Sequence, residues 1–259
     1  LNTSILNQMN KTQKSLSKTF EKLSTGKRVN SAADDPSALA LGSALESAIR
    51  SSKSVNQGIS VTQGALDTAA GGLTASLESL QRMRELAVQS ANGSISDSDR
   101  ANLQQEYDQQ MQNINDVASQ TSFNGNNLLD GSFSQSVTTG SNGGSTDVSI
   151  QSASASSLGI SATGIADQSS AGDAIESIDN AISQVQSQLA SIGANQNSLE
   201  YASNANDVQT ENMVAAQSNT LDADLAEITS QLRQQQVQLQ SQIAAMKAQG
   251  KNQKDYTKA

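Results

Sequence analysis

Acidic side chains come in close pairs at three places in this chain: Asp34-Asp35, Asp97-Ser98-Asp99 and Asp222-Ala223-Asp224. Two carboxylates within reach of one another are the raw material of acid–base hydrolysis and of cation binding. Their surroundings point elsewhere. Asp34-Asp35 stands directly before Pro36, the only proline, and reads as a helix start, with an Asp cap and Pro in the first turn. Asp97-Ser98-Asp99 resembles half of a calcium loop, but the following Gly and the closing Glu are missing. The chain has no His and no Cys, which removes the Ser–His–Asp triad, the imidazole base, the thiolate nucleophile and Cys-based zinc sites. An active site would have to be a Ser–Lys or carboxylate arrangement hidden in residues 121–170. The expectation is a chain with no catalytic residue, no metal and no cofactor.

Composition narrows the role further. Aromatic residues are 2 % of the chain and Trp is absent, so stacking platforms for bases or sugars are not expected. The hydrophobic share is 35 %, thin for a deep single core. It suits long helices that bury a narrow seam, or a protein completed by its neighbours. Net charge is −9, unevenly placed: residues 1–28 carry +5 and residues 247–259 carry +3, which leaves −17 for the stretch between. Basic ends on an acidic body disfavour nucleic acid as the main ligand and allow end-to-body attraction between copies. No run of apolar residues is long enough to span a membrane, and no charged-then-apolar leader opens the chain.

The elements that position these residues are dominated by one heptad seam. Alternate steps of 4 and 3 from Leu41 meet Leu45, Ala48, Ser52, Val55, Ile59, Thr62, Leu66, Ala69, Leu73, Ser76, Leu80, Met83 and Ala87. Eleven of these fourteen positions are apolar and the other three are small hydroxyl residues, a coiled-coil pattern sustained over six heptads. As one helix the run would measure about 70 Å, too long for a compact domain and fit for something elongated. Gly58, Gly64, Gly71 and Gly72 lie within it. They either allow close backbone approach or mark a break near Gly71-Gly72.

A second helix is expected over 99–118, with Leu103, Tyr107, Met111, Ile114 and Val117 on one face. A third pattern runs through Ile175, Ile178, Ile182, Val185, Leu189, Ile192 and Leu199. It turns polar at Ser203, Asn206 and Thr210 and recovers at Leu221, Leu225, Ile228, Leu232, Leu239, Ile243 and Met246. The opening segment carries its own stripe: Ile5, Met9, Leu16, Phe20 and Leu23. Between 121 and 170 the composition turns to Ser, Gly, Thr and Asn, and Val137-Thr138-Thr139 and Val148-Ser149-Ile150 flank a Gly-rich turn as a hairpin. The fold expected is mainly α: an elongated antiparallel helical bundle or coiled coil of N- and C-terminal segments with a small β-hairpin region between. The terminal stripes find no large core within the chain, which implies self-assembly.

Particular stretches then resemble one family. Leu-Ser-Thr-Gly-Lys-Arg-Val-Asn-Ser-Ala-Ala-Asp-Asp at 23–35 is similar to the "LSSGLRINSAADD" signature near the start of bacterial flagellins. Residues 80–92 resemble the family's "LQRMRELAVQAAN" segment, and residues 120–125 its "QTQFNG". Residues 178–182 and 221–226 are similar to the family's C-terminal helix. The Gln-rich stretch from Gln234 departs from the apolar helix with which flagellins usually finish.

The resemblance implies a structural subunit that self-assembles into the bacterial flagellar filament for motility, a secreted, extracellular homopolymer. A hook–filament junction protein or a surface polysaccharide-binding homologue are the alternatives. It also implies an export chaperone and cap and junction proteins as partners. Five segments are expected: 1–35 and 219–259 as the two parts of an inner coiled-coil domain, 36–120 as long helices, 121–170 as the hairpin region, and 171–218 as the returning helix. Ile5, Leu16, Phe20, Leu23, Leu225, Ile228, Leu232, Leu239 and Ile243 would carry the inner shell. Leu66, Leu73, Leu80, Ile178, Ile182, Val185 and Leu189 would pack the outer helices. By residue-for-residue likeness, Gln81, Arg82, Leu86 and Glu106 would form the patch read by the vertebrate Toll-like receptor that senses flagellin. The same residues also read as ordinary helix-packing and solvent-face positions.

Overall fold

The computed structural model describes residues 2–256, and the side chains of residues 3–248. The expected charges of Lys251, Lys254 and Lys258 therefore lie outside the described side chains. Five helices and two short hairpins follow in chain order: α1 (Asn2–Thr25), α2 (Pro36–Ser90), α3 (Asp97–Gln120), β1 (Ser122–Phe123), β2 (Asn126–Asn127), β3 (Ser134–Thr138), β4 (Ser145–Ser149), α4 (Gln168–Leu221) and α5 (Leu225–Tyr256). The mainly α class with a small β region is the one expected from the periodicity. Two units form, one from residues 1–50 with 209–259 and one from residues 51–208.

In the unit of residues 51–208, α2 and α4 run antiparallel. Asn56 Nδ2 donates to Asp207 Oδ1 at 2.7 Å, Gln196 Nε2 to Asp67 Oδ1 at 2.7 Å, and Arg84 Nε to Asp179 Oδ1 at 2.6 Å. Partners thus descend along α4 as they ascend along α2. Ile59, Leu66, Ala69, Leu73, Leu80, Met83 and Ala87 are buried in one core with Tyr107, Ile114, Ile178, Val185, Ile192 and Leu199. Each fully buried Leu or Ile contributes about 1.5–3 kcal/mol. The seam read from sequence holds from Ser52 onward; at its first position it does not, since Leu41 is exposed.

No break occurs at Gly71-Gly72, because α2 is continuous. Gly72 is a close approach instead: a Cβ there would lie 2.7 Å from Thr121 Oγ1 and 2.8 Å from Leu129 Cδ1, whereas one on Gly71 would meet nothing within 4 Å. The expected hairpin forms as β3–β4, with Val137 opposite Thr146 and Gln135 opposite Val148. A second one, β1–β2, turns at Asn124-Gly125, both with positive φ, the Asn-Gly turn chemistry of tight hairpins. Beyond β4 the chain forms an irregular strap in which Ala153, Ala155, Leu158, Ile160 and Ile165 are buried. Side chains from the helices tie it down: Asn115 Oδ1 accepts Ala155 N at 3.0 Å, Tyr107 Oη and Thr163 Oγ1 share a hydrogen bond of 2.6 Å, and Ser90 Oγ donates to Ile165 O at 2.6 Å.

In the unit of residues 1–50 and 209–259, α1 packs against α5, and Gln242 Nε2 donates to Thr12 Oγ1 at 3.1 Å. Where α1 ends, Lys27 and Asp222 form an antiparallel bridge. There Arg28 N donates to Leu221 O, and Ala223 N to Gly26 O. Val29, Ala38 and Leu221 make a small separate core. Gly42 has no Cβ because one would lie 2.9 Å from Leu221 Cγ.

Candidate functional site

The paired carboxylates are helix-end chemistry. Asp35 Oδ1 accepts Ser37 N at 3.1 Å and Ala38 N at 2.9 Å, capping α2 in front of Pro36 at its first position. Asp34 accepts from Asn30 N, Ser31 N and Ser31 Oγ, and these hydrogen bonds, the Ser31 hydroxyl first, hold its carboxyl below the usual range. Asp224 Oδ1 accepts Ala226 N at 2.8 Å at the start of α5, and Asp222 Oδ2 accepts the Ser218 hydroxyl at 2.6 Å. Ser96 caps α3, its hydroxyl accepting Asp99 N and donating to Asp99 Oδ2. Among the described residues no group of three acidic, His or Cys side chains gathers as a cation site.

Along the inner face of the 51–208 unit, Leu66, Leu73, Leu80, Ile178 and Val185 are fully buried, and Ile182 and Leu189 are half-buried against the same core. The polar stretch of α4 is engaged rather than idle. Asn206 is buried, and its Nδ2 donates to Asn56 Oδ1 at 3.2 Å and to Thr139 O at 2.9 Å, tying the end of the hairpin to both helices.

The Arg82 patch brings together three of its four expected members. Arg82 Nε donates to Glu106 Oε1 at 2.7 Å and Nη1 to Glu85 Oε2 at 2.9 Å. Arg84 pairs with Asp179 beside it. These carboxylates hold both guanidiniums firmly protonated: Glu106 then Glu85 act on Arg82, Asp179 on Arg84. The pairs are about half exposed, where solvent screens most of their attraction. Gln81 is exposed beside them. Leu86 lies in the core, 1 % exposed, and presents nothing to solvent.

The α1–α5 pair is different in kind. Ile228 is buried, and Ile5, Leu16, Leu23, Leu232 and Leu239 are only half-buried. Phe20, Leu225 and Ile243 remain 47 %, 52 % and 38 % exposed, and Leu6 and Val237 stand in solvent as well.

Two features escape a reading of periodicity. Arg100 is buried at the end of α2, where its guanidinium donates to the carbonyls of Ser90, Asn92 (3.2 Å) and Ile95 (2.9 Å). A fixed cation thus satisfies the open carbonyls of a helix C-terminus. Its only sequence signal is a lone Arg just after a Gly-containing turn. The strap over 150–165 likewise carries widely spaced apolar residues within a polar composition, with no period to find.

N- and C-terminal helices paired with each other, and a helical bundle with two hairpins built from the residues between, define a class of mainly α proteins whose two ends act together. Residues 1–134 match the bacterial flagellin N-terminal helical region and residues 175–254 the bacterial flagellin C-terminal helical region. The chain is 35 % identical to the flagellar filament 30.7 kDa core protein of Treponema maltophilum, over 88 % of this chain and 86 % of that one. It is 36 % identical to the flagellar filament 33 kDa core protein of Treponema phagedenis, over 91 % and 88 %. The crystal structure of Bacillus cereus flagellin superposes with a TM-score of 0.53 at 28 % identity, covering 62 % of this chain and 94 % of that one. The chain belongs to the bacterial flagellins.

Proposed function

We propose that this chain is a structural subunit that polymerises into the extracellular filament of a bacterial flagellum, with no catalytic role. The observation that carries this reading is the contrast between its two units. Residues 51–208 bury their seam within one copy, with Leu66, Leu73, Leu80 and Val185 fully covered. The α1–α5 pair covers its seam only in part: Ile5, Leu16, Leu23, Leu232 and Leu239 are half-buried, and Phe20, Leu225 and Ile243 stand in solvent. Large apolar side chains that their own chain leaves uncovered are candidate contacts for further protein, and repeated copies of one chain meeting through unlike faces build an open helical polymer.

On this reading Ile5, Leu16, Phe20, Leu23, Leu225, Ile228, Leu232, Leu239 and Ile243 form the inner contacts, and the Leu66 to Leu189 set keeps each subunit rigid. The names of the Treponema relatives, filament core proteins, support the same role. Family membership brings in an export chaperone and cap and junction proteins as partners. A receptor patch would consist of Gln81, Arg82 and Glu106, with Leu86 beneath them as support. Removal of residues 1–28 tests the assembly reading: the shortened chain should remain a soluble, helical monomer under conditions where the full chain polymerises. Filaments of normal length from the shortened chain would overturn it.

A further inference from the structure

The α1–α5 seam is a heptad with polar layers built into it. On α1 the seam positions are Ile5, Met9, Thr12, Leu16, Thr19 and Leu23; on α5 they are Ile228, Leu232, Gln235, Leu239, Gln242 and Met246. Both follow alternate steps of 3 and 4. The Gln242–Thr12 hydrogen bond sets the register of the antiparallel pair. Stepping from it by heptad spacing places Met9 with Met246, Leu16 with Leu239, Thr19 with Gln235, and Leu23 with Leu232. Apolar and polar layers therefore alternate, and every polar layer opposes a short Thr on α1 to a long Gln on α5.

These polar groups are inside the seam. Thr12 and Thr19 are buried, and each hydroxyl also donates to its own helix, to Gln8 O at 3.0 Å and Ser15 O at 2.9 Å. The Oε1 atoms of Gln235 and Gln242 are buried and accept no hydrogen bond from the protein. Two such layers weaken the pair relative to an all-Leu seam, since a buried acceptor without a donor is costly. The best-attested return for such a cost is selection of partner and register.

We propose that the Thr12–Gln242 and Thr19–Gln235 layers are a pairing key that makes α1 select α5 and reject a second α1. The discrimination comes from size and from hydrogen bonding together. In an α1–α1 pair each polar layer would hold two short threonines, leave voids, and present no amide donor. In an α5–α5 pair each would crowd two long amides into the same space. Only α1 with α5 matches small to large at every layer, the interdigitation that dense packing requires. Such selection matters where many copies bring like helices close together, so this inference rests on the filament reading for its purpose but not for its geometry.

Because the chain contains no Cys, single reporters are clean. Leu16→Cys in the full chain reports α1–α1 pairing, and Leu239→Cys reports α5–α5 pairing, as disulfide-linked dimers after mild oxidation of the soluble protein. In the native background both should give dimers only at the level of a Cys placed on an outward helix position, such as Ser17→Cys. In the all-Leu seam (Thr12→Leu, Thr19→Leu, Gln235→Leu, Gln242→Leu) dimer yield should rise several-fold. In the exchanged seam (Thr12→Gln, Thr19→Gln, Gln235→Thr, Gln242→Thr) it should stay at the native level. An unchanged yield in a helical all-Leu variant, or a rise in the exchanged one, would overturn the key. If the all-Leu chain loses its helicity, the single-layer variants Thr12→Leu/Gln242→Leu and Thr19→Leu/Gln235→Leu decide by the same measure. Filament formation by the native chain is scored separately by electron microscopy, so a failure of the filament reading is seen apart from a failure of the key.

Discussion

Gly71 and Gly72 are neighbours in one helix, yet alanine at each should act in opposite directions. A Gly to Ala change in a helix interior gains about 1 kcal/mol from backbone entropy and helix propensity. At Gly71 nothing lies within 4 Å of the added methyl, so that gain stands and Gly71→Ala should stabilise by ~1 kcal/mol. At Gly72 the methyl would meet Thr121 Oγ1 at 2.7 Å, Leu129 Cδ1 at 2.8 Å and Thr121 Cγ2 at 3.0 Å. Leu129 is fully buried and cannot swing away, so the core must move. Overpacking of this kind costs roughly 1–3 kcal/mol. Set against the propensity gain, Gly72→Ala should lie between neutral and ~2 kcal/mol destabilising. The two variants should therefore differ by about 1–3 kcal/mol, read as a separation of midpoints in urea unfolding followed by far-UV circular dichroism. Equal stabilisation by both would refute the close approach of the segments bearing Thr121 and Leu129 to α2 at this turn.

Arg100→Met should destabilise the 51–208 unit by about 2–3 kcal/mol, because it removes a charged donor from buried carbonyls at the end of α2; loss below 0.5 kcal/mol, within the range of ordinary surface changes, would show that the cap is dispensable. Asp167 caps α4, and hydrogen bonds from the Ser170 hydroxyl and backbone hold its carboxyl below the usual range. A folded pKa below the unfolded one gives stability that is present above about pH 4 and is lost as pH falls through the depressed value. Asp167→Asn should therefore flatten the loss of stability below about pH 4 and leave the profile near neutrality parallel to the native one; an unchanged acid limb would contradict the cap.

Much of the fold is legible because one signal, heptad spacing, carries most of the chain. From Ser52 to Ala87 every position read as seam is buried or packed on the core, because one face of α2 is turned inward along that whole stretch. The reading weakens where a polar residue stands at a seam position. Asn206, Thr12, Thr19, Gln235 and Gln242 look like gaps in an apolar stripe, and only geometry shows that Thr12, Thr19 and Asn206 are buried and that Asn206 and Gln242 hydrogen-bond across to neighbouring elements. Leu41 and Ile243 fail in the opposite way: both are apolar and near periodic, and both face solvent. The Asn124-Gly125 turn carries a hairpin signal in its two residues alone, yet its strands are too short to show alternation. Arg100 is opaque, because a lone Arg reads as surface until the helix end beneath it is known. The Arg82 patch is half legible: likeness to the family brings Arg82 and Glu106 together, and burial alone shows that Leu86 belongs to the core.

Electron microscopy of the purified full chain, taken through a polymerising salt step beside a Phe20→Asp/Leu225→Asp variant, tests the central claim most directly. The native chain should form long filaments. The variant places charges on two residues exposed in the single copy, so its helicity should be kept and its filaments lost. A native chain that stays monomeric, or a variant that polymerises as readily, would contradict assembly through the uncovered face of the α1–α5 pair.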